Sequence, residues 1–507
     1  MLSKINTATI FGIEGQHITV ETDISCGLPG FYLVGQADNG IKEAKDRIRS
    51  AIVNSGFDYP KTRITVNMSP AGIRKRGSHF DLAIAMGILT SSGQVNEERT
   101  RDFCFIGELS LDGSLSRTDG VLPMIIAMRK CGFKKIIIPM ANEAEGALIT
   151  DVIIYGARNL AEIVNHMNYG AEIKETTDNC AKEEREYNVD FADVKGQEAA
   201  KRAITICVAG GHGIFMMGSP SSGKTMLAER IPTIMPPMTY EEILESTMVY
   251  SISGLLGKDS PVIRERPFRR PHNRITQSAF LGGGAYPKPG EISLASKGVL
   301  FLDELGEFDR SIIENLRVPL EQKKIILNRK DWSCTYPADF LIVAASNPCR
   351  CGYYGDATHK CKCTVAQVMN YQRKLSGPIL DRIDMNMFLN PLSYGELGEE
   401  KNTSSAEMRS MILKAREIQK DRYRNLPISL NHEMDGKLLD EYVPIDRPVI
   451  KDFLGKAYDS LGLNPRTMQK IRRIARTIAD LDESEEVKME HFTESLAYRG
   501  EKQWLEY

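Results

Sequence analysis

Gly218-Ser219-Pro220-Ser221-Ser222-Gly223-Lys224-Thr225 follows a short apolar run, Ile214 to Met217, and opens an apolar helical stretch that begins Met226-Leu227-Ala228. A glycine-rich turn between a buried strand and a helix N-terminus is a phosphate cradle. Its glycines let backbone N–H groups curl around the anion, Lys224 sets a point charge against the outer phosphate oxygens, and the Thr225 hydroxyl is placed to ligate Mg²⁺. The stretch therefore reads as the nucleotide loop of an α/β core, with Gly218, Ser219, Pro220, Ser221, Ser222, Gly223, Lys224 and Thr225 all candidate contacts of a nucleotide.

A second strand completes the site. Gly298-Val299-Leu300-Phe301-Leu302-Asp303-Glu304 is a continuous apolar run ending in two acids, the pattern of a parallel strand buried on both faces whose C-terminal end meets a ligand. Asp303 suits the metal ion and Glu304 the polarisation of a water. A third apolar strand, Phe340 to Ala345, ends at Ser346-Asn347, where the Asn347 amide can orient that water.

With 507 residues the chain is too long for one core, and its 26% charged and 42% apolar content is that of a globular protein. A net charge of −2 supplies no bulk attraction to nucleic acid or anionic lipid, so any such binding must come from local patches. No stretch is apolar over the ~18 to 20 residues that span a bilayer, and Met1-Leu2-Ser3-Lys4-Ile5 does not open a signal peptide. A cytoplasmic protein without membrane contact is expected, and its ten cysteines are expected to be thiols or metal ligands rather than structural disulfides.

Residues 1–168 alternate short strands with helices, 169–190 form a charged linker, 191–392 carry the β-α-β nucleotide core, and 393–507 turn helical. After Glu304 the order of features narrows the class. Leu380-Asp381-Arg382-Ile383-Asp384 lies where a subunit-bridging arginine belongs, and Asn464-Pro465-Arg466 opens a lid helix. This order resembles the AAA+ ATPases, which implies sensor 1 at Asn347, an arginine finger at Arg382 and sensor 2 at Arg466. The stretch from Lys224 to Asp303 exceeds a minimal core, and the surplus, with Arg266-Pro267-Phe268-Arg269-Arg270-Pro271-His272-Asn273-Arg274 and Leu281 to Ala295, looks like the helix-2 insert of the magnesium-chelatase-like branch. The whole chain most closely resembles the YifB/ComM family. One departure is Asn273, where the family's insert usually has a second histidine.

That resemblance implies an ATP- and Mg²⁺-dependent ring of identical subunits, a hexamer, hydrolysing ATP at shared interfaces. It also implies DNA as substrate, in a branch-migration or helicase-type role in recombination or natural transformation. The alternative is a chelatase-like or remodelling ATPase acting on a protein partner. The insert arginines Arg264, Arg266, Arg269, Arg270 and Arg274, and the basic-flanked strand Lys323 to Lys330, are the expected DNA-facing elements.

Gly107 to Gly113 and Ile136 to Glu143 are similar to the Lon proteolytic domain, a ribosomal-S5-like α/β fold. Serine-lysine catalysis would need both members of the dyad, yet the alignment of Lys75 to Asp81 puts His79 at the serine position, with Ser78 one residue away, and Leu122 at the lysine position. A non-proteolytic domain is expected, with His79 a hydrogen-bonded structural residue. Finally, Cys349-Arg350-Cys351 and Cys361-Lys362-Cys363 place four thiols within fifteen residues. They read as a tetrahedral Zn²⁺ site, with free thiols or redox disulfides as the alternatives.

Overall fold

A computed structural model describes residues 2–499 apart from 37, 171–172, 177–186, 258–259, 330–331, 357–358, 376–378 and 392–401. Much of the expected linker, Lys330 and the expected start of the helical region at 393 lie outside the described residues.

The strand preceding the phosphate loop, Ile214–Gly218, is buried along its whole length and sits inside a five-stranded sheet. The order across that sheet is Phe268–Arg269, Val299–Leu302, Leu341–Ser346, Ile214–Gly218, Met385–Leu389, with every neighbouring pair parallel. Continuous apolar strands are needed here because both faces are covered. Ile214, Met216, Val299, Phe301, Val343 and Ala345 join the core on one face, and Phe215, Met217, Leu300, Leu302, Ile342 and Ala344 the core on the other. Since the strands run in one direction, the loops after Gly218, Leu302 and Ser346 leave the same edge, which fixes the place of the site.

The amino-terminal part differs from the expected regular alternation of strands and helices. It opens with a long antiparallel hairpin, Leu2–Phe11 against Glu14–Ser25, within a seven-stranded mixed sheet. Parallel strands Phe103–Phe105, Lys135–Pro139 and Ile153–Ala157 extend one side of it. The hairpin escapes a reading based on apolar runs because many of its residues are half-exposed polar ones. Short strands of the expected kind are present at Arg63–Ser69, Lys135–Pro139 and Ile153–Ala157.

Helix Tyr240–Ser253 ties the two sheets together. Its Ile243, Leu244 and Met248 pack on the amino-terminal core, and Ser251 Oγ donates to the buried Glu145 carboxylate at 2.7 Å. A capping box between Thr239 and Glu242 starts it and Gly254 ends it.

The carboxy-terminal part is helical, with Ser405–Arg422, Gly436–Tyr442, Pro448–Leu461, Pro465–Leu481 and Met489–Ala497. Asn464 caps the fourth of these by accepting from the Thr467 amide at 2.8 Å, and Pro465 occupies its first turn. No helix among the described residues is long and apolar enough to cross a membrane.

Candidate functional site

The phosphate loop bends through two positions of positive φ, Ser221 at 65° and Gly223 at 91°. The second is the residue on which helix Lys224–Ile234 starts, and glycine adopts that conformation without steric cost. Lys224 folds back over the loop, its Nζ donating to the carbonyls of Gly218 and Ser219, both at 2.8 Å, and reaching Ser222 Oγ and Asn347 Oδ1 at 3.3 Å. Burial pulls the Lys224 ammonium down to about 8, against the opposing charge of Asp303. Ser219 Oγ is buried with no hydrogen-bond partner among the described residues, a polar atom left for an incoming ligand.

Thr225 Oγ1 donates to Asp303 Oδ2 at 3.1 Å. Neighbouring oxygens in an octahedral Mg²⁺ shell lie about 2.9 Å apart for Mg–O of 2.0–2.1 Å, so these two oxygens fit adjacent ligand positions. Glu304 holds a left-handed backbone conformation, φ 53° and ψ 47°, which carries a cost of roughly 1–3 kcal/mol and turns the residue after Asp303 away from strand geometry.

Sequence reasoning missed what covers these acids. Arg270 Nη2 meets Asp303 Oδ2 at 2.6 Å while Nη1 reaches Glu229 at 3.3 Å, and Asn273 Nδ2 donates to Glu304 Oε2 at 3.2 Å. Both residues arrive through the two-residue strand Phe268–Arg269, which pairs with Val299–Leu300 and so delivers the next residues to the end of the acidic strand. The expected DNA-facing arginines are thus partly committed inside the fold. Arg266 pairs with Glu242 at 2.9 Å and Arg269 is bidentate on Glu291 at 2.6 and 2.7 Å. The basic strand Lys324–Arg329 forms an antiparallel hairpin with Trp332–Pro337 and exposes Lys324, Ile326, Asn328 and Arg329. Lys323 itself is engaged by Asp339 and Glu433.

Arg382 and Arg466 come together on one acid, a second residue that the sequence did not mark. Glu321 Oε1 accepts from Arg382 Nη2 at 2.8 Å and from Arg466 Nη2 at 3.2 Å. Ahead of the core, the Ser78 hydroxyl donates to Glu108 and Leu122 is buried in helix Val121–Lys130. His79 is buried against Phe80, ring centroids 4.2 Å apart, and burial lowers it to about 4. A hydrogen bond with the backbone of Ala8 opposes that shift, in keeping with the expected hydrogen-bonded structural residue.

The four cysteines converge. Their sulfurs all lie within 4.8 Å of one another, with Cys349–Cys351 at 3.4 Å, Cys351–Cys361 at 3.5 Å and Cys349–Cys361 at 3.7 Å. Burial works against ionisation of Cys351, yet hydrogen bonds from the backbone of Tyr353 and Lys362 and from the neighbouring thiols bring it to about 6.

The chain matches the family model for magnesium chelatase, subunit ChlI, over residues 190–397, that for subunit ChlI of Mg-chelatase over 20–142, and that for the ChlI C-terminal region over 402–499. It is similar to the competence protein ComM of Haemophilus influenzae, 39% identical with 98% of this chain and 97% of that protein covered. It is similar to the protein YifB of Escherichia coli, 38% identical with 98% and 97% covered. A shorter similarity links it to the magnesium-chelatase 67 kDa subunit of Heliobacterium mobile, 27% identical over 32% of this chain and 29% of that one.

Proposed function

Because the chain belongs to the ComM/YifB family of magnesium-chelatase-like AAA+ proteins, we propose that it hydrolyses ATP as a ring of identical subunits, expected to be hexameric, and acts on DNA. The observation that carries the nucleotide reading is the convergence of Lys224, Thr225, Asp303 and Asn347 through hydrogen bonds at one edge of a parallel sheet. In this reading 191–392 is the ATPase core with a helix-2 insert, 393–507 the helical lid, 169–190 a linker, and 1–168 a Lon-like domain that lacks proteolytic activity. The pairing of Ser78 with Glu108 and the buried Leu122 support that last assignment.

The residues divide the work. Backbone N–H groups from Gly218 to Gly223 cradle the phosphates, and the Lys224 ammonium exchanges its loop carbonyls for phosphate oxygens. Thr225 and Asp303 would hold Mg²⁺, which when bound neutralises charge on the outer phosphates. Asn273 releases the Glu304 carboxylate, which takes a proton from the attacking water while Asn347 orients it. Arg382 and Arg466, already gathered on Glu321, reach the γ-phosphate of a neighbour's nucleotide, where an arginine supplied in trans is worth about 10³ to 10⁵ in rate.

DNA contact falls on the hairpin around Lys324 and Arg329, whose bases would hold phosphates without reading sequence. The competence relative supports a role in competence, which we read as branch migration or recombination of incoming DNA in the cytoplasm. ATP turnover measured with and without branched DNA tests this. Stimulation that falls steeply with salt supports it, and stimulation only by a partner protein would replace it with the chelatase-like alternative. Zn²⁺ is proposed for Cys349, Cys351, Cys361 and Cys363.

A further inference from the structure

The cysteine cluster stands immediately behind the phosphate loop. Cys349 follows Asn347 by two residues, and Asn347 is the side chain that meets Lys224 Nζ at 3.3 Å. The turn that carries Cys349 and Cys351 closes with the Gly352 amide donating to the Cys349 carbonyl at 3.0 Å. Gly352, at φ 88°, lies so close to the loop that a Cβ there would come within 2.6 Å of both Cδ and Cγ of Pro220. Helix Val365–Leu375 anchors the other end, Gln372 Nε2 donating to the Pro348 carbonyl at 3.2 Å.

The sulfur positions have the dimensions of a metal knot. A tetrahedral Zn²⁺ site with Zn–S of about 2.3 Å has S···S edges of about 3.8 Å. Three of the edges here are 3.4, 3.5 and 3.7 Å, each far longer than a disulfide bond. The Cys363 amide also donates to Cys361 Sγ at 3.4 Å, the kind of contact that stabilises a ligating thiolate.

We infer that one Zn²⁺ held by Cys349, Cys351, Cys361 and Cys363 makes this turn a rigid strut against Pro220 and Asn347, so that nucleotide affinity depends on the metal. Each thiol gives up its proton on ligation, and no electron is transferred. Without the metal, nothing coordinates the turn's Cys349 and Cys351 to Cys361 and Cys363, and the cross-link that stiffens it against the loop is lost. The strut rests on the nucleotide reading above, and the two separate experimentally.

The test uses the full chain. Zinc per chain is measured by elemental analysis, and affinity for a fluorescent ATP analogue at fixed Mg²⁺ is measured before zinc removal by a zinc-selective chelator, after it, and after zinc is restored. One zinc per chain is expected, with affinity falling roughly tenfold or more on removal and returning on restoration. Gly352→Ala should keep the zinc and weaken the nucleotide, because its new methyl group presses on Pro220. Lys224→Ala should also keep the zinc and lose the nucleotide through the phosphate contact alone. Absence of zinc, or zinc removal with unchanged affinity, overturns the strut. A wild-type chain that holds zinc but binds no nucleotide overturns the nucleotide reading instead, and the strut falls with it while the metal site stands.

Discussion

Raising the pH should switch off nucleotide binding at Lys224 well below the point at which an ordinary lysine loses its proton. Burial holds this ammonium at about 8 in the free protein, with Asp303 the charge that opposes the shift. The charged form binds the triphosphate, and bound phosphate keeps the lysine protonated, so affinity follows the charged fraction of the free state. That fraction falls from about nine-tenths at pH 7 to about one-tenth at pH 9, a tenfold loss of affinity or about 1.4 kcal/mol. A lysine at its usual value would lose only a few per cent of its charge over the same interval, and its curve would be flat. The assay is equilibrium binding of a fluorescent ATP analogue at fixed Mg²⁺ in a Glu304→Gln background, so that hydrolysis does not intrude. Lys224→Arg, whose guanidinium cannot deprotonate in this range, should bind without the slope. Equal affinity of the lysine protein at pH 7 and pH 9 would refute both the buried setting of Lys224 and its place on the phosphates.

Other expectations follow from the surroundings of the site. Arg270 competes for Asp303 through an ion pair that is partly exposed and worth about 0.2–1 kcal/mol, so Arg270→Ala should lower the Mg²⁺ concentration needed for half-maximal turnover, and an unchanged or higher requirement in a Mg²⁺ titration would contradict the competition. Asp384 is buried between His212 Nδ1 at 3.3 Å and Lys470 Nζ at 3.6 Å. Burial alone would raise this carboxyl, but the His212 hydrogen bond and the Lys470 charge hold it far below the usual range. Its contribution to stability is present above the unfolded carboxyl value near 4 and lost as pH falls below it. Asp384→Asn should cost about 3–5 kcal/mol near neutral pH, read by urea unfolding, with the difference from wild type shrinking in acid. A paired Lys324→Glu and Arg329→Glu change on the exposed hairpin should reduce DNA stimulation and flatten its salt dependence by about one unit of log–log slope per residue. An unaltered slope would move the DNA elsewhere.

Contiguous chemistry was legible in the sequence. The loop from Gly218 to Thr225, the acids at 303 and 304, and the amide at 347 each terminate an apolar run long enough to mark a buried strand. Their convergence follows from strands sharing one direction. The covering contacts were not legible, because they depend on which strand lies beside which. Arg270 and Asn273 reach the acids only through a two-residue strand, Phe268–Arg269, too short to leave a periodic signal. The same limit explains Glu321, an unremarkable acid on a short helix until the fold brings Arg382 and Arg466 to it. Charge counting also failed for the insert, where Arg266 and Arg269 proved to be internal struts rather than free cations. In the cysteine cluster the spacing showed that four thiols could meet, and only the fold shows that Gly352 rests on Pro220.

Joint hydrolysis by neighbouring subunits is tested most directly by mixing two inactive variants. Glu304→Gln disables a subunit's own pocket but still offers Arg382, whereas Arg382→Ala keeps an intact pocket and withholds that arginine from its neighbour. Each alone should bind nucleotide and turn over at background rates. Mixed rings should regain a substantial part of wild-type turnover, rising and falling with the mixing ratio. Full turnover by Arg382→Ala alone, or a mixture as inactive as its parents despite proven co-assembly, would contradict pockets completed across the subunit interface.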